Sequence, residues 1–321
     1  MGKEKFHHRI YKVAYIYLLN LLPKEVSENT LKWYFISNHC DSISEIYERL
    51  LWSAQNRQAM PNVIQYYIEW IRKWRREEIK KIIHDYDFDR IITQTPETLL
   101  DIFEKYYPIT NRQPNWYWNI WCNAIIDWAW FMRNFNTVKD FDAFVKTYNK
   151  DVETRWKLAW YIANEIQLGN WHKWIKWLWE ALVCDFLKEI GYFEYLKPDV
   201  HIKDICYWAW FCWSDDISVF NEMTQIAYDN NITPYQLDKL FWLICSWNFY
   251  NQGIKIWSHK KEFIEMLKKE LWKDYQNIIS ESNVEDEIQI INKIKENKKT
   301  IEKLQKENVD LTNKLNKILL K

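Results

Sequence analysis

The sequence predicts an all-α protein, with one helical domain over residues 1–280 and a C-terminal coiled-coil helix over residues 283–321. Two observations lead to this prediction. Apolar residues recur at three- and four-residue intervals through most of the first 280 residues, which is the period of an amphipathic helix. Few runs alternate strictly between apolar and polar residues, and the connections are short and polar. We find no repeat of fixed period, so a solenoid is not expected.

Helix-start signals precede several of the periodic segments. Ser42 and Asp199 offer short polar side chains that suit the first turn, and Thr233 is followed by Pro234, which suits the first helical position. The predicted helices run from Ser44 to Ser53, Pro61 to Ile82, Pro96 to Tyr106, Tyr117 to Phe135, Phe141 to Tyr148, Val152 to Leu168, Glu180 to Glu189 and Pro234 to Ser246.

A heptad pattern ends the chain. Polar Asn308 within its seam is the kind of residue that fixes register and favours two strands. The pattern therefore predicts a homodimer through residues 290–318, although a solitary charged helix, or one that packs back on the globule, would also fit. The seam consists of Ile294, Ile301, Asn308 and Leu315 at one heptad position and Asn297, Leu304, Leu311 and Ile318 at the other.

Composition is typical of a soluble cytoplasmic protein. The 44 basic and 44 acidic residues cancel, so any contact with nucleic acid must depend on a local patch. The six cysteines form no CxxC pair, which argues against a zinc site and against a secreted disulfide framework. The apolar stretch from Val13 to Leu22 is too short to span a bilayer, so no membrane association is expected.

Glycine and tryptophan have exchanged their usual abundances. The chain has 4 glycines and 22 tryptophans, so tryptophan reaches roughly 7%, the normal share of glycine. One hypothesis is that the gene comes from a lineage that reads UGA as glycine and was translated with UGA as tryptophan. The alternatives are a genuinely tryptophan-rich core or a set of stacking platforms for bases. TGG codons at positions 177 and 179 would remove the first hypothesis.

The segment 175–201 sets a turn, a helix and an aspartate at one particular spacing. Trp177-Leu178-Trp179 precedes the helix predicted from Glu180 to Glu189, and Asp199 and His201 follow. This closely resembles the helix-hairpin-helix glycosylase superfamily of base-excision repair. In that family a Gly-x-Gly hairpin and a helix precede a catalytic aspartate at the spacing of Trp179 to Asp199, and a histidine follows two residues later. The two tryptophans stand where the family has glycines.

A second stretch resembles the endonuclease III branch of the same superfamily. Leu50-Leu51-Trp52-Ser53-Ala54-Gln55 is similar to a Leu-Leu-Ser-Ala-Gln string whose glutamine enters the space vacated by an everted base. The resemblance implies that role for Gln55, with Asn56 as its neighbour. The separation from Asp199 is longer than in a compact member, which an insertion between residues 70 and 150 would explain, and so would chance similarity.

The resemblance implies a two-lobed glycosylase fold and a reaction centred on Asp199. A carboxylate beside the deoxyribose stabilises the positive charge that develops as the glycosidic bond breaks, and it could also deprotonate the attacking water. The alternative is that Asp199 only caps the helix that begins near Val200, and the hairpin spacing favours catalysis. His201 is placed with the DNA-binding residues by the resemblance, although support of local packing is its more ordinary role.

The same resemblance implies the mechanistic subclass of the enzyme and the ligands that it binds. Bifunctional relatives carry a lysine nucleophile where this chain has Ala181, so we expect a monofunctional enzyme that leaves an abasic site. The hairpin can hold a monovalent cation, and no iron-sulfur cluster is expected because its cysteine spacing is missing. The partner would be double-stranded DNA with a damaged or mispaired base, in a nucleoid-associated protein. The DNA-contact residues would be Gln55, Asn56, Lys173, Lys176, Trp177, Leu178, Trp179 and His201.

A function of another class remains open: a catalytically inactive protein of the same fold that binds DNA or acts as a scaffold, dimerised by its coiled coil. It shares the predicted hairpin but needs no reaction at Asp199. The sequence does not identify the base that is removed.

Overall fold

The computed structural model describes residues 3–56, 60–66, 75–107, 115–164, 179–209, 211–246, 248–255 and 258–281, and residues 293, 295–300, 303, 304 and 307. The chain is predominantly α-helical, which confirms the all-α prediction. Within the described residues the strands are β1 (Asn248–Phe249) and β2 (Ile254–Lys255), an antiparallel pair. Gly253 sits in the turn between them at φ 67°, a conformation that glycine adopts without steric cost.

The described helices follow one another with short connections, and 3₁₀ turns lie at Lys32–Phe35, His84–Tyr86 and Tyr250–Gln252. In chain order they are α1 (Lys3–Leu21), α2 (Glu28–Leu31), α3 (Ile43–Gln55), α4 (Met60–Ile64), α5 (Arg76–Ile82), α6 (Phe88–Ile91), α7 (Pro96–Tyr106), α8 (Asn115–Met132), α9 (Val138–Tyr148), α10 (Val152–Asn164), α11 (Glu180–Glu189), α12 (Val200–Trp208), α13 (Asp216–Asp229), α14 (Pro234–Ser246) and α15 (Lys260–Glu281).

Polar side chains begin the helices at the predicted positions. Ser42 accepts a hydrogen bond from the amide of Glu45 at 3.2 Å, and Thr233 accepts one from the amide of Gln236 at 3.2 Å. These bonds satisfy amide groups that have no partner within the first turn of a helix. The predicted starts of α3 and α14 are confirmed to within one residue.

The helix predicted from Pro61 to Ile82 is not continuous. Helix α4 ends at Ile64, and Gln65 has φ 55°, a left-handed conformation that cannot continue a right-handed helix. The next residue, Tyr66, donates its backbone amide to the side chain of Gln55 at 3.1 Å. Arg76 begins α5, and residues 67–74 lie outside the described part of the chain.

Residues 2–268 form one compact unit and residues 269–321 another. The division falls inside α15, ahead of the predicted boundary at 280–283. Within the first unit, one group of helices packs around α8, which contacts α3, α4, α6 and α7. A second group comprises α1, α10, α12, α13 and α14, and α11 packs against both α10 and α3. The contact between α3 and α11 joins the two groups.

The tryptophans differ sharply in burial. Trp118, Trp121 and Trp128 of α8 are almost fully buried and belong to the core. Trp33 and Trp213 are each 69% exposed and bury little apolar surface. The described chain therefore contains tryptophans that belong to the core together with tryptophans that are mostly exposed.

The second unit is described only in part. Residues 293, 295–300, 303, 304 and 307 are helical and exposed, and Leu304 of the predicted seam is 55% exposed. The rest of the predicted coiled coil, including Asn308, lies outside the described residues. None of the helices described is at once long enough and apolar enough to cross a membrane.

Candidate functional site

A cavity of about 310 Å³ lies where α3 meets α11, the loop before α12, and α14. Its walls are unusually rich in charge, with as many carboxylates as cations. The cations are Arg49, Lys188, Lys197 and Lys239, the carboxylates are Asp185, Glu189, Asp199 and Asp238, and the remaining walls include Trp52, Asn56, His201, Trp242 and Tyr250.

Asp199 is the N-cap of α12. Its Oδ1 accepts hydrogen bonds from the amides of His201 at 2.8 Å and Ile202 at 3.2 Å, so the predicted helix start is confirmed. Its Oδ2 makes no hydrogen bond to any group in the described residues. One oxygen is thus fixed by the backbone, and the other is unengaged on a side chain that lines the cavity.

His201 lies in the first turn of α12 and also lines the cavity. Burial lowers the pKa of its imidazole below 6.5, although Asp199 acts in the opposite direction. The ring is therefore mainly uncharged at neutral pH. Its Nδ1 is buried and has no hydrogen-bond partner among the described residues, so a bound molecule could supply one.

The loop that carries Asp199 is held by Asp238 of α14. One oxygen of Asp238 accepts the backbone amide of Lys197 at 2.9 Å, and the other lies 3.0 Å from Nζ of Lys188. Asp238 is 4% exposed. This arrangement fixes the backbone two residues before Asp199 to α14.

Lys188 is the centre of a buried ion network. Its Nζ lies 2.6 Å from Glu189, 3.0 Å from Asp238 and 3.5 Å from Asp185. Burial by itself lowers the pKa of this lysine, but Asp238 and Glu189 outweigh burial and raise it. Burial raises the pKa of Asp238 in spite of Lys188. Because Lys188 faces three carboxylates at once, its side chain is a protonated ammonium and not a nucleophile.

Replacing Lys188 with methionine is expected to lower the free energy of unfolding by about 3–5 kcal/mol, because buried carboxylates would lose their cation. Lys157 provides the matched control, since it pairs with Glu153 at 2.7 Å on the surface of α10. Lys157→Met should change stability by less than about 0.5 kcal/mol. Urea unfolding followed by circular dichroism measures both. Equal stabilities of the two variants would contradict the ion network.

The same network predicts sensitivity to acid. Burial raises the pKa of Asp185, but Lys197, Lys188 and Arg49 outweigh burial and lower it from 3.8 to about 2. A lowered folded-state pKa stabilises the protein above pH 4, and this contribution is lost as the pH falls towards 2. Thermal melting from pH 5 to pH 2 should therefore show a steeper loss in wild type than in Asp185→Asn. Parallel curves would contradict the prediction.

Arg49 enters the site from α3. Its guanidinium lies over the indole ring of Trp52, 3.7 Å from the ring centroid. Its Nη2 lies 3.8 Å from both Asp185 and Glu189, whereas Nε and Nη1 are buried without a hydrogen-bond partner in the described structure. Lys239 completes the wall, with Nζ 2.8 Å from Glu189 and between 5.4 and 5.9 Å from the ring centroids of Tyr235, Trp242 and Tyr250.

The structure brings some of the predicted site residues together and not others. Asn56, Asp199 and His201 line the same cavity. Gln55 is fully buried, so contact with DNA stays a prediction that would require this side chain to leave the core. Trp179 is 62% exposed and occupies the N-cap position of α11, where its side chain makes no capping bond. Lys173, Lys176, Trp177 and Leu178, and with them the predicted cation site, lie outside the described residues.

Sequence reasoning missed the contributions of Arg49, Asp185, Lys188, Asp238 and Lys239. A signal was present, because Asp185 and Lys188 interrupt the apolar residues of α11, and a buried charge needs a partner. The described residues contain no group of three histidine, cysteine or acidic side chains arranged to hold a metal ion. Comparison with protein-family models, curated proteins and solved structures finds no match.

Proposed function

We propose that the chain is a monofunctional DNA repair glycosylase that flips a damaged or mispaired base into the cavity and hydrolyses its N-glycosidic bond with help from Asp199. The observation that carries the proposal is a convergence. Trp52 of the Leu50–Gln55 stretch and the neighbouring Asn56 line the same cavity as Asp199 and His201 of the second stretch, although the two stretches are far apart in sequence.

The geometry supports a dissociative hydrolysis. The base must leave the helical stack, because the glycosidic bond is shielded within it. The unengaged Oδ2 of Asp199 would lie beside the sugar, where a carboxylate stabilises the positive charge that develops as the bond to the base breaks. The same carboxylate would accept a proton from the attacking water. The backbone bonds to Oδ1 hold it in place before the substrate arrives.

The lysines of the site favour water as the nucleophile. Attack on the sugar by a lysine needs a neutral amine. Lys188 is kept protonated by its carboxylates, and Nζ of Lys239 is 2.8 Å from Glu189. Position 181, where bifunctional relatives place their lysine, is alanine. The product would therefore be an intact strand with an abasic site.

The test is an excision assay with duplexes that each carry one damaged or mispaired base. The full chain is incubated as sequenced and as the Trp177→Gly/Trp179→Gly variant, and abasic sites are then cleaved with alkali. We expect strand cleavage that depends on both the lesion and alkali, and no adduct trapped by borohydride. Cleavage without alkali, together with a trapped adduct, would contradict the monofunctional assignment. Absence of excision in both forms would overturn the proposal.

The second candidate function is a non-enzymatic DNA-binding or scaffolding dimer. The observation that favours its scaffolding form is the 62% exposure of Trp179 at the start of α11, because an indole there would obstruct the close phosphate approach that DNA binding through the hairpin needs. The exposed Leu304 of the predicted seam is in keeping with a second copy as partner. Duplexes that are bound but never cut, by a chain that sediments as a dimer, would favour this function.

A further inference from the structure

The polar groups of the cavity differ in whether they have ion-pair or hydrogen-bond partners. Each of the buried carboxylates has a cation within 4 Å: Asp185 and Glu189 lie near Arg49 and Lys188, and Asp238 near Lys188. Two nitrogens of Arg49, Nε and Nη1, have no hydrogen-bond partner in the described part of the chain. The groups of the wall that still need partners therefore include N–H donors whose positive charge is permanent.

A buried guanidinium N–H without an acceptor is costly, and a ligand that supplies an acceptor removes that cost. A positively charged ligand offers these N–H groups no acceptor and brings like charge towards Arg49 in a poorly screened space. Lys188 and Lys239 have carboxylate oxygens at 2.6 to 3.0 Å, whereas the ion-pair distances of Arg49 are 3.8 Å, so its charge is the least neutralised of the three. The unengaged oxygen of Asp199 is assigned to the sugar in the proposed reaction, and the Arg49 side of the cavity therefore disfavours a cationic base.

The size and walls of the cavity fit one nucleobase. A volume of about 310 Å³ lies at the small end of the range for ligand sites. The indoles of Trp52 and Trp242 and the ring of Tyr250 line it, and aromatic faces stack favourably on bases. Arginine commonly recognises the carbonyl and ring-nitrogen acceptors of a base edge.

We infer that the cavity selects an uncharged base that presents carbonyl acceptors, of the kind produced by oxidation or deamination, over a base that carries positive charge from alkylation. Arg49 is the specificity-determining residue, with its indole neighbour Trp52 holding the guanidinium in place. This inference rests on the proposed glycosylase function and names the substrate class of the same site.

The experiment compares single-turnover release of 8-oxoguanine, hypoxanthine and uracil with release of 7-methylguanine from otherwise identical duplexes. The full chain is used in whichever hairpin form shows excision. We expect at least one of the three uncharged bases to be released roughly tenfold or more faster than the cationic 7-methylguanine. Arg49→Met should lower the rate for that base roughly 10- to 100-fold relative to the rate for 7-methylguanine.

Arg133→Met is the matched control. Its guanidinium also lies over an indole, 5.3 Å from the ring centroid of Trp130, and pairs with Asp89 at 3.2 Å, but it is not part of the cavity wall. This variant should keep both rates. Because Arg49→Met also removes an ion pair, the ratio of the two rates is the deciding readout, since it does not depend on the fraction of folded enzyme.

The outcomes distinguish failure of the inference about base selection from failure of the proposed glycosylase function. Faster release of 7-methylguanine, or an equal loss for both kinds of base in Arg49→Met, would overturn the inference and leave the glycosylase function standing. Absence of release from every duplex would overturn the glycosylase function, and the inference with it.

Discussion

Replacing Asp199 with asparagine is expected to slow base excision roughly 10²- to 10⁴-fold while leaving the free energy of unfolding nearly unchanged. Asparagine is as good an N-cap as aspartate, so its side-chain oxygen can still accept the amides of His201 and Ile202 that Oδ1 accepts now. It carries no charge, however, and cannot stabilise a cationic sugar or take a proton from water. Single-turnover excision with enzyme in excess measures the rate, and urea unfolding measures stability.

Asp199→Ala separates the capping role from the catalytic role. Alanine removes the cap as well as the charge, so this variant should lose about 1 kcal/mol of stability and be as slow as Asp199→Asn. If Asp199 were only a cap, Asp199→Asn would retain wild-type excision and Asp199→Ala would fall in proportion to its stability. That pattern would leave the cavity without a catalytic carboxylate.

Local signals in the sequence predict the ends of a helix correctly where every residue between those ends has helical backbone angles. Helix α7 was predicted with both ends correct, because Pro96 fits the first turn and Thr95 caps it through the amide of Thr98 at 3.2 Å. Helix α11 was also predicted correctly from Glu180 to Glu189. The break at Gln65 was missed, since apolar periodicity does not reveal a single left-handed residue.

The site was predictable only in part, for a related reason. Asp199, His201 and Asn56 belong to linear motifs, and the structure places all three on one cavity. The ion network belongs to no motif. Lys188 of α11 meets Asp238 of α14 only after the intervening segment, which contains α12 and α13, has folded back. The pair therefore forms through tertiary structure, and no short window of sequence predicts it.

Placing glycine at positions 177 and 179 is expected to raise the affinity for duplex DNA by roughly 100-fold or more. Trp179 occupies the N-cap position of α11 and is 62% exposed. A helix N-terminus presents free amide donors and partial positive charge, which suit a phosphate, and each charge-assisted bond contributes about 1.5–3 kcal/mol. An indole at the start of α11 stands in the way of that approach, whereas glycine leaves the amides open.

Binding is measured by fluorescence anisotropy with an undamaged duplex at fixed salt, because phosphate contacts depend strongly on ionic strength. Trp33→Gly is the matched control: Trp33 is 69% exposed and belongs to neither family-like stretch, so its loss should not change affinity. The codons at 177 and 179, or peptide mass spectrometry of the protein from its own cells, show which residue nature places there. TGG codons together with an unchanged affinity in the double-glycine variant would show that the hairpin does not contribute to DNA binding. UGA codons and a gain in affinity would mean that the exposed indoles stand where the cell inserts glycine.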